Sequence, residues 1–142
     1  MGMNNENTAI KIGLVGLALF LAFKSRAAGL NLAAYGLTDY GPENLGEYFD
    51  LEEFTRSNMA ELLGISEQYN PPRAAILNGA KFAQYVLDPI RRYMGSPVMV
   101  TSWWRSPELL QAMIDNPGID AAEGSKHLYG ATADIVYFRP GD

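Results

Sequence analysis

The amphipathic stretch between Pro72 and Gly95 limits the possible folds of this chain more than any other feature. Apolar residues recur there at steps of three and four, which predicts a helix with one buried face. The apolar stripe consists of Ile76, Ala80, Ala83, either Val86 or Leu87, and Ile90. Pro89 is expected to kink or divide the helix, because proline has no amide proton to donate. The stretch therefore predicts the main helical wall of a domain.

Shorter segments around this wall predict further helices and two strands. Ser57 is placed to cap a helix over 58–63, and Ser106 to cap another. Segment 98–104 is rich in β-branched and aromatic residues, and segment 132–138 alternates polar and apolar positions, so each predicts a strand. We therefore expect an α+β fold, with helices on one side of a small antiparallel sheet and an N-terminal hydrophobic helix before it.

The composition fits one domain with a sizeable core. The chain has 142 residues, of which 48% are hydrophobic and 11% aromatic. Glycines punctuate residues 27–47 without a regular period, which is typical of a linker or an extended arm. Phe49, Leu51 and Phe54 alternate along the chain and predict an extended segment at the start of the domain. The expected divisions are an N-terminal hydrophobic segment (1–26), a linker or arm (27–47) and the domain (48–142).

An uninterrupted apolar run over 12–23 dominates the N-terminal segment. A helix over 9–23 would be about 22 Å long at 1.5 Å per residue, which is short for a bilayer core of roughly 30 Å. Snorkelling of Lys11 and Lys24 would let it span, so we expect a membrane anchor and a membrane-associated protein. A signal peptide, and a helix buried in a core or packed on partner subunits, are the alternatives.

Charge and cysteine content exclude two kinds of site. The formal net charge is −5, and a nucleic-acid binder needs clustered Lys and Arg, so no nucleic-acid partner is expected. The chain has no cysteine, which rules out disulfides and thiolate metal sites. Any metal must therefore be held by other donors.

The only histidine lies in the motif Ser125-x-His127-x-x-Gly130-x-Thr132-x-Asp134. The motif places an imidazole on a loop and a carboxylate seven residues later in the following strand. Both donors suit zinc, and the spacing suits two ligands on neighbouring backbone segments. A hydrogen-bonded structural histidine, and a carboxylate that caps a turn or pairs with an arginine, are the alternatives.

The motif resembles the metal-binding motif of the D-Ala-D-Ala carboxypeptidase family of zinc peptidases. That family includes phage endolysins and vancomycin-resistance dipeptidases and cleaves bacterial wall peptides. Thr132 stands where the family usually has alanine. The resemblance extends over about 49–136. Its further elements, in family order, are Phe54-Thr55-Arg56-Ser57, Asn70-Pro71-Pro72, 86–91 with Gly95 and Pro97, and Thr101-Ser102 followed by Arg105-Ser106-Pro107.

The resemblance implies a role for each matching residue. His127 and Asp134 would be zinc ligands, Ser125 would steady the ligand loop, and Ser102 would support the site. Arg105 would face the carboxylate or the polarised carbonyl of a peptidoglycan peptide.

The resemblance also implies a second histidine as third ligand, because catalytic zinc commonly has three protein ligands. In the family this histidine lies downstream in a Glu-x-x-His-like or Asp-x-x-His-like segment, whose carboxylate is the general base. No such segment occurs before Asp142, so the third ligand and the base stay unassigned and the domain is expected to lack its C-terminal part. Glu123 and Asp120 are alternative oxygen donors, although their spacing does not favour them.

One departure from the family concerns the aromatic pair before Arg105. The family commonly reads Ser-Gly-Tyr-Arg where this chain has Ser102-Trp103-Trp104-Arg105, so Trp103 replaces a glycine. We expect the two tryptophans to belong to the core or an interface, and a sugar-stacking platform is the alternative.

Two functions of different class follow from these observations. The first is a membrane-anchored zinc peptidase of phage or bacterial origin that cleaves D-Ala-containing peptidoglycan peptides. The second is a catalytically degenerate, structural or wall-binding component of a virion or membrane assembly, held to membrane or partner subunits by its N-terminal segment.

Overall fold

The computed structural model describes residues 30–139, which form an α+β fold around a two-stranded antiparallel sheet. Helix α3 runs without a break through an α-helical part, a π-helical turn and a second α-helical part. The helices are α1 (Leu51–Thr55), α2 (Asn58–Leu63), α3 (Arg73–Phe82, Ala83–Leu87 and Asp88–Met94) and α4 (Pro107–Ile114). The strands are β1 (Val98–Ser102) and β2 (Asp134–Tyr137). Short 3-10 turns span Leu32–Tyr35, Ser66–Tyr69 and Lys126–Tyr129.

The capping residues explain where the short helices begin. The side chains of Ser57 and Ser106 accept hydrogen bonds from the third residue of α2 and of α4, as the sequence predicts. The expected extended segment over 49–54 is wrong, because α1 forms there. Asp50 accepts from the Glu53 amide while the Glu53 carboxylate accepts from the Asp50 amide, and this capping box nucleates the helix.

The interruption expected at Pro89 of α3 takes the form of a π-helical turn just before the proline. The amide of Asp88, the residue before the proline, donates to the Ala83 carbonyl five residues back. The turn also decides which residue faces the core, since Leu87 is 1% exposed whereas Val86 is 38% exposed. The main helical wall is therefore present, with its apolar stripe displaced by the π-helical turn.

The sheet has one buried and one exposed face. Val98 pairs with Tyr137 and Met99 with Val136, and a register irregularity before Ser102 lets that residue pair with Asp134. Val98 and Val100 are buried in the core, whereas Met99 is exposed. The helices thus cover one side of the sheet, which agrees with the expected layer arrangement.

Aromatic rings fill the centre of the domain around Trp103, which is 0% exposed. Phe54 packs edge-to-face on it with ring centroids 5.1 Å apart, and Phe49 and Phe82 do so at 6.2 Å. Trp104 stacks on Phe54 with ring centroids 6.2 Å apart and is 3% exposed. Both tryptophans are therefore core residues, and neither offers a stacking platform for sugars.

Residues 30–47, predicted as a linker or an extended arm, belong to the folded unit. Leu32, Leu37 and Leu45 are buried in the same core as Trp103. The folded region that the structure describes therefore starts at residue 30 and not near residue 48.

Polar side chains of α3 hold this N-terminal segment in place. The Gln84 amide group donates to the Thr38 and Leu45 carbonyls and accepts from the Thr38 amide at 2.8 Å. The buried Asp88 carboxylate accepts from the backbone amides of Glu47 at 2.8 Å and Tyr48 at 3.2 Å. These contacts join residues about 40 positions apart, which is why no local pattern predicts them.

The expected N-terminal hydrophobic helix over 9–23 lies outside the described residues. Within residues 30–139, no helix has the length and apolar character needed to span a bilayer.

Candidate metal centre

A single 3-10 turn carries the histidine of the motif. Ser125 caps the turn by accepting from the His127 amide at 3.3 Å, so its expected steadying role matches its position. Gly130 ends the turn with φ +70°. A Cβ there would lie 2.7 Å from the Ala75 carbonyl oxygen and 2.8 Å from Phe54 Cζ, so only glycine lets the turn pack this closely on α3.

The His127 imidazole bridges the core and the surface. Its Nδ1 lies 2.5 Å from the Trp103 carbonyl oxygen, and its Nε2 lies 3.5 Å from Asp134 Oδ2. A carbonyl only accepts hydrogen bonds, so we assign a proton to Nδ1. When the ring is neutral, the lone pair of Nε2 then faces the carboxylate. A proton on Nε2, a cation or a bridging water would satisfy both acceptors. The Nδ1 contact is the kind of outer-shell hydrogen bond that orients metal-ligating histidines.

Asp134 reaches the histidine because the sheet places it there. It begins β2, and its backbone is paired with Ser102 of β1 and accepts from the Thr101 hydroxyl at 3.2 Å. The Asp134 side chain is 62% exposed, whereas that of His127 is 13% exposed. The carboxylate is therefore fixed at its backbone and open to solvent at its oxygens.

Arg105 completes the cluster on the side of β1. Its amide donates to the His127 carbonyl at 3.0 Å, and its guanidinium is half-buried in the electrostatic field of Asp134. Burial lowers the pKa of Arg105 below its usual value, and the negative charge of Asp134 partly offsets this. The side chain stays charged because an arginine pKa begins far above neutral. The site thus combines an imidazole, a carboxylate and a cation.

The structure therefore brings together four residues that the motifs single out, namely Ser102, Arg105, His127 and Asp134. Ser125 stands behind them as the cap of the turn. No group of three or more histidine, aspartate or glutamate side chains that could hold a metal occurs among residues 30–139. Asp120 and Glu123 do not complete such a group. His127 and Asp134 are two candidate ligands of suitable chemistry in this part of the chain, and the third stays unassigned.

Comparison with protein-family models, curated proteins and solved structures finds no match to this chain. The chemistry of the site must therefore be argued from its residues and their geometry.

Sequence reasoning missed two groups that place the site. The Trp103 carbonyl orients His127, and a backbone carbonyl has no sequence signal, since every residue has one. The buried Gln68 side chain donates to the Thr55 and Trp104 carbonyls and accepts from the Ser106 amide at 2.8 Å. Gln68 thereby holds the backbone on both sides of Arg105. Its glutamine side chain, in a polar stretch, looks from the sequence like a surface residue.

Proposed function

We propose that this protein is a zinc-dependent peptidase that acts on D-Ala-containing peptides of bacterial peptidoglycan. The observation that supports it most directly is the arrangement of His127, with Nδ1 held by the Trp103 carbonyl and Nε2 3.5 Å from the Asp134 carboxylate. This is the orientation that a metal-ligating histidine needs. The substrate class comes from the resemblance of the motif to the D-Ala-D-Ala carboxypeptidases.

The residues of the chain divide the work as follows. His127 and Asp134 would hold zinc, which supplies a Lewis acid that polarises an amide carbonyl and acidifies water. Arg105 would bind the substrate carboxylate or stabilise negative charge on the carbonyl oxygen, because a guanidinium offers several donors in one plane. Its partial burial strengthens such an interaction, since water competes less for the charge.

The proposal also includes the setting of the enzyme. A peptidoglycan substrate requires a place at the bacterial envelope or in a virion, and the apolar segment over 9–23 would supply the membrane attachment. The partners would then be the membrane and, in a virion, neighbouring subunits.

A second candidate function is a catalytically degenerate wall-binding or assembly component. It is favoured by the finding that residues 30–139 contain two of the three expected ligands and no third. In that case the site would bind wall peptides through Arg105 without cleaving them.

Zinc content tests the proposal most directly. The full chain, purified in mild detergent and dialysed, is expected to retain about one zinc per chain, and His127→Ala and Asp134→Asn to lose it. Asp120→Asn is the matched control and should keep the zinc. Hydrolysis of a D-Ala-D-Ala-terminated peptide by the wild type alone would support the peptidase. Zinc retention without hydrolysis would favour the second candidate, and absence of zinc from all four proteins would contradict a metal centre.

A further inference from the structure

Consecutive residues of the Trp103-Trp104-Arg105 segment contact the turn that carries His127. The Trp103 indole N–H donates to the Gly130 carbonyl at 3.0 Å, and the Trp104 indole N–H donates to the Leu128 carbonyl at 3.1 Å. The Arg105 amide donates to the His127 carbonyl at 3.0 Å. In return the Trp103 carbonyl meets His127 Nδ1. The turn therefore receives a donor at three of its four residues from 127 to 130.

The indole N–H groups of both buried tryptophans donate to the same turn. Trp103 is 0% and Trp104 3% exposed, and a buried indole N–H without an acceptor is costly. Here both acceptors are carbonyls of the His127 turn, which fixes the position of that turn relative to the rings. The rings are themselves fixed by Phe54, which packs edge-to-face on Trp103 and is stacked with Trp104.

We propose that Trp103 and Trp104 are positioning residues of the metal centre. Their indole N–H groups hold the His127 turn in the position in which Nδ1 contacts the Trp103 carbonyl and Nε2 faces the Asp134 carboxylate. The inference rests on the proposed function for its consequence on zinc, but the orientation of the imidazole can be tested without any metal. It does not come from the resemblance, because the family has glycine and tyrosine at these two positions.

The position of the turn determines the position of the imidazole, because His127 is itself a residue of the turn. A turn that has lost an indole donor is free to shift relative to the rings, and the contact between Nδ1 and the Trp103 carbonyl then weakens. The other tautomer, with the proton on Nε2, becomes populated, and this tautomer cannot donate a lone pair to a metal from Nε2. Loss of an outer-shell partner of a ligating histidine typically reduces metal affinity about 10–100-fold.

The test uses His127 as its own reporter, because it is the only histidine of the chain. Full-length protein labelled with ¹⁵N in detergent would be compared with Trp104→Phe in a long-range ¹H–¹⁵N imidazole spectrum and in a zinc titration. Phenylalanine keeps an aromatic ring against Phe54 but removes the indole donor. Phe82→Leu is the matched control, since it removes an aromatic contact of Trp103 and leaves both indole N–H groups in place.

The wild type and Phe82→Leu are expected to show one tautomer with the proton on Nδ1. Trp104→Phe should show a mixture of tautomers and bind zinc at least about tenfold more weakly. An unchanged His127 spectrum in Trp104→Phe would overturn the inference, and so would an equal change in Phe82→Leu. If the wild type binds no zinc, the proposed function fails, while the tautomer comparison still decides the positioning role.

A second probe covers the case in which Trp104→Phe does not fold. Trp103 and Trp104 are the only tryptophans, so growth with a benzothienyl analogue replaces both indole N–H groups by sulfur and keeps the ring shape. The same mixture of tautomers is expected in this protein. A single Nδ1-protonated tautomer would show that packing alone positions the histidine.

Discussion

The aromatic centre around Trp103 and the face that carries the candidate metal site, with His127, Asp134 and Arg105, lie side by side but are stabilised in different ways. In the centre, Trp103 and Phe54 are 0% exposed and are fixed by rings on several sides. On the face, the Asp134 side chain is 62% exposed, and its carboxylate is placed by the backbone of β2. Packing between rings fixes the side chains of the centre. On the face, backbone hydrogen bonds of the His127 turn and of strand β2 fix the positions of His127 and Asp134.

The difference separates the residues that determine stability from those that determine chemistry. Removing a ring from the centre leaves a cavity, because close-packed interiors relax only partly. Removing the Asp134 carboxylate from the face leaves no cavity, because its side chain is 62% exposed. Substitutions on the face should therefore change the binding of zinc and peptide far more than they change the free energy of unfolding.

The largest expected effect is that of Phe54→Ala. Phe54 contacts both tryptophans, so its loss should reduce the free energy of unfolding by about 3–5 kcal/mol. Tyr129→Ala, on the exposed side of the His127 turn, should stay within about 0.5 kcal/mol of the wild type. Urea unfolding followed by tryptophan fluorescence measures both. Equal losses would remove the distinction between the two regions.

A smaller effect is expected from a polar group within the buried region, Asp88→Asn. Asparagine keeps one acceptor for the amides of Glu47 and Tyr48 but turns an NH₂ group towards the other. We expect a loss of about 1–3 kcal/mol in the free energy of unfolding.

The same substitution at Asp115, an exposed residue that accepts from Gln111, is the matched control for Asp88. It should change the free energy of unfolding by about 0.5 kcal/mol or less. Similar losses at both positions would mean that the buried acceptor does not anchor the N-terminal segment. Hydrogen exchange of the Glu47 and Tyr48 amides would show the release directly.

The smallest effect concerns Glu53, at the boundary between buried and exposed regions. Burial raises the pKa of its carboxyl above the usual value. A raised pKa in the folded state means that the stability from this group is present below its unfolded pKa of 4.5 and is lost as the pH rises through the folded pKa. At neutral pH the ionised Glu53 carboxylate therefore stabilises the folded protein less than the protonated carboxyl does at low pH.

Glu53→Gln should consequently be as stable as the wild type near pH 3.5, and more stable at pH 7 by about 0.5 kcal/mol or less, because solvent screens a partly exposed group. Glutamine retains an acceptor for the Asp50 amide, so the capping box keeps that bond. Thermal unfolding across pH 3–7 measures the difference. Glu52→Gln, one residue earlier, should show no such gain, and a gain there would point to a general charge effect.

Local signals predicted the elements well where the cause was local. Ser57 caps α2 as expected, because the side chain of a cap acts within one helix. The extended segment around Leu51 was predicted wrongly, because the capping box of Asp50 and Glu53 outweighs a short alternation. The choice between Val86 and Leu87 needed the π-helical turn, which the sequence does not reveal.

Long-range contacts set the limit of prediction. Residues 30–47 looked like a linker because their burial depends on Gln84 and Asp88, about 40 positions away. The motif correctly put Asp134 in a strand and His127 before it, and the structure brings their side chains to 3.5 Å. The metal itself, the substrate and the third ligand stay predictions.

The π-helical turn Ala83–Leu87 determines how the two α-helical parts of α3 are rotated relative to each other about the helix axis. Such a turn holds one residue more than an α-helical turn, and one residue corresponds to a rotation of about 100°. Because the π-helical turn takes up its extra residue within one turn, deleting one residue there should leave an ordinary α-helical turn and keep Asp88 and Arg92 facing the segment they hold at Glu47. The stretch should therefore tolerate the loss of one residue better than the regular part of α3 does, where the same deletion would rotate everything beyond it by about 100°.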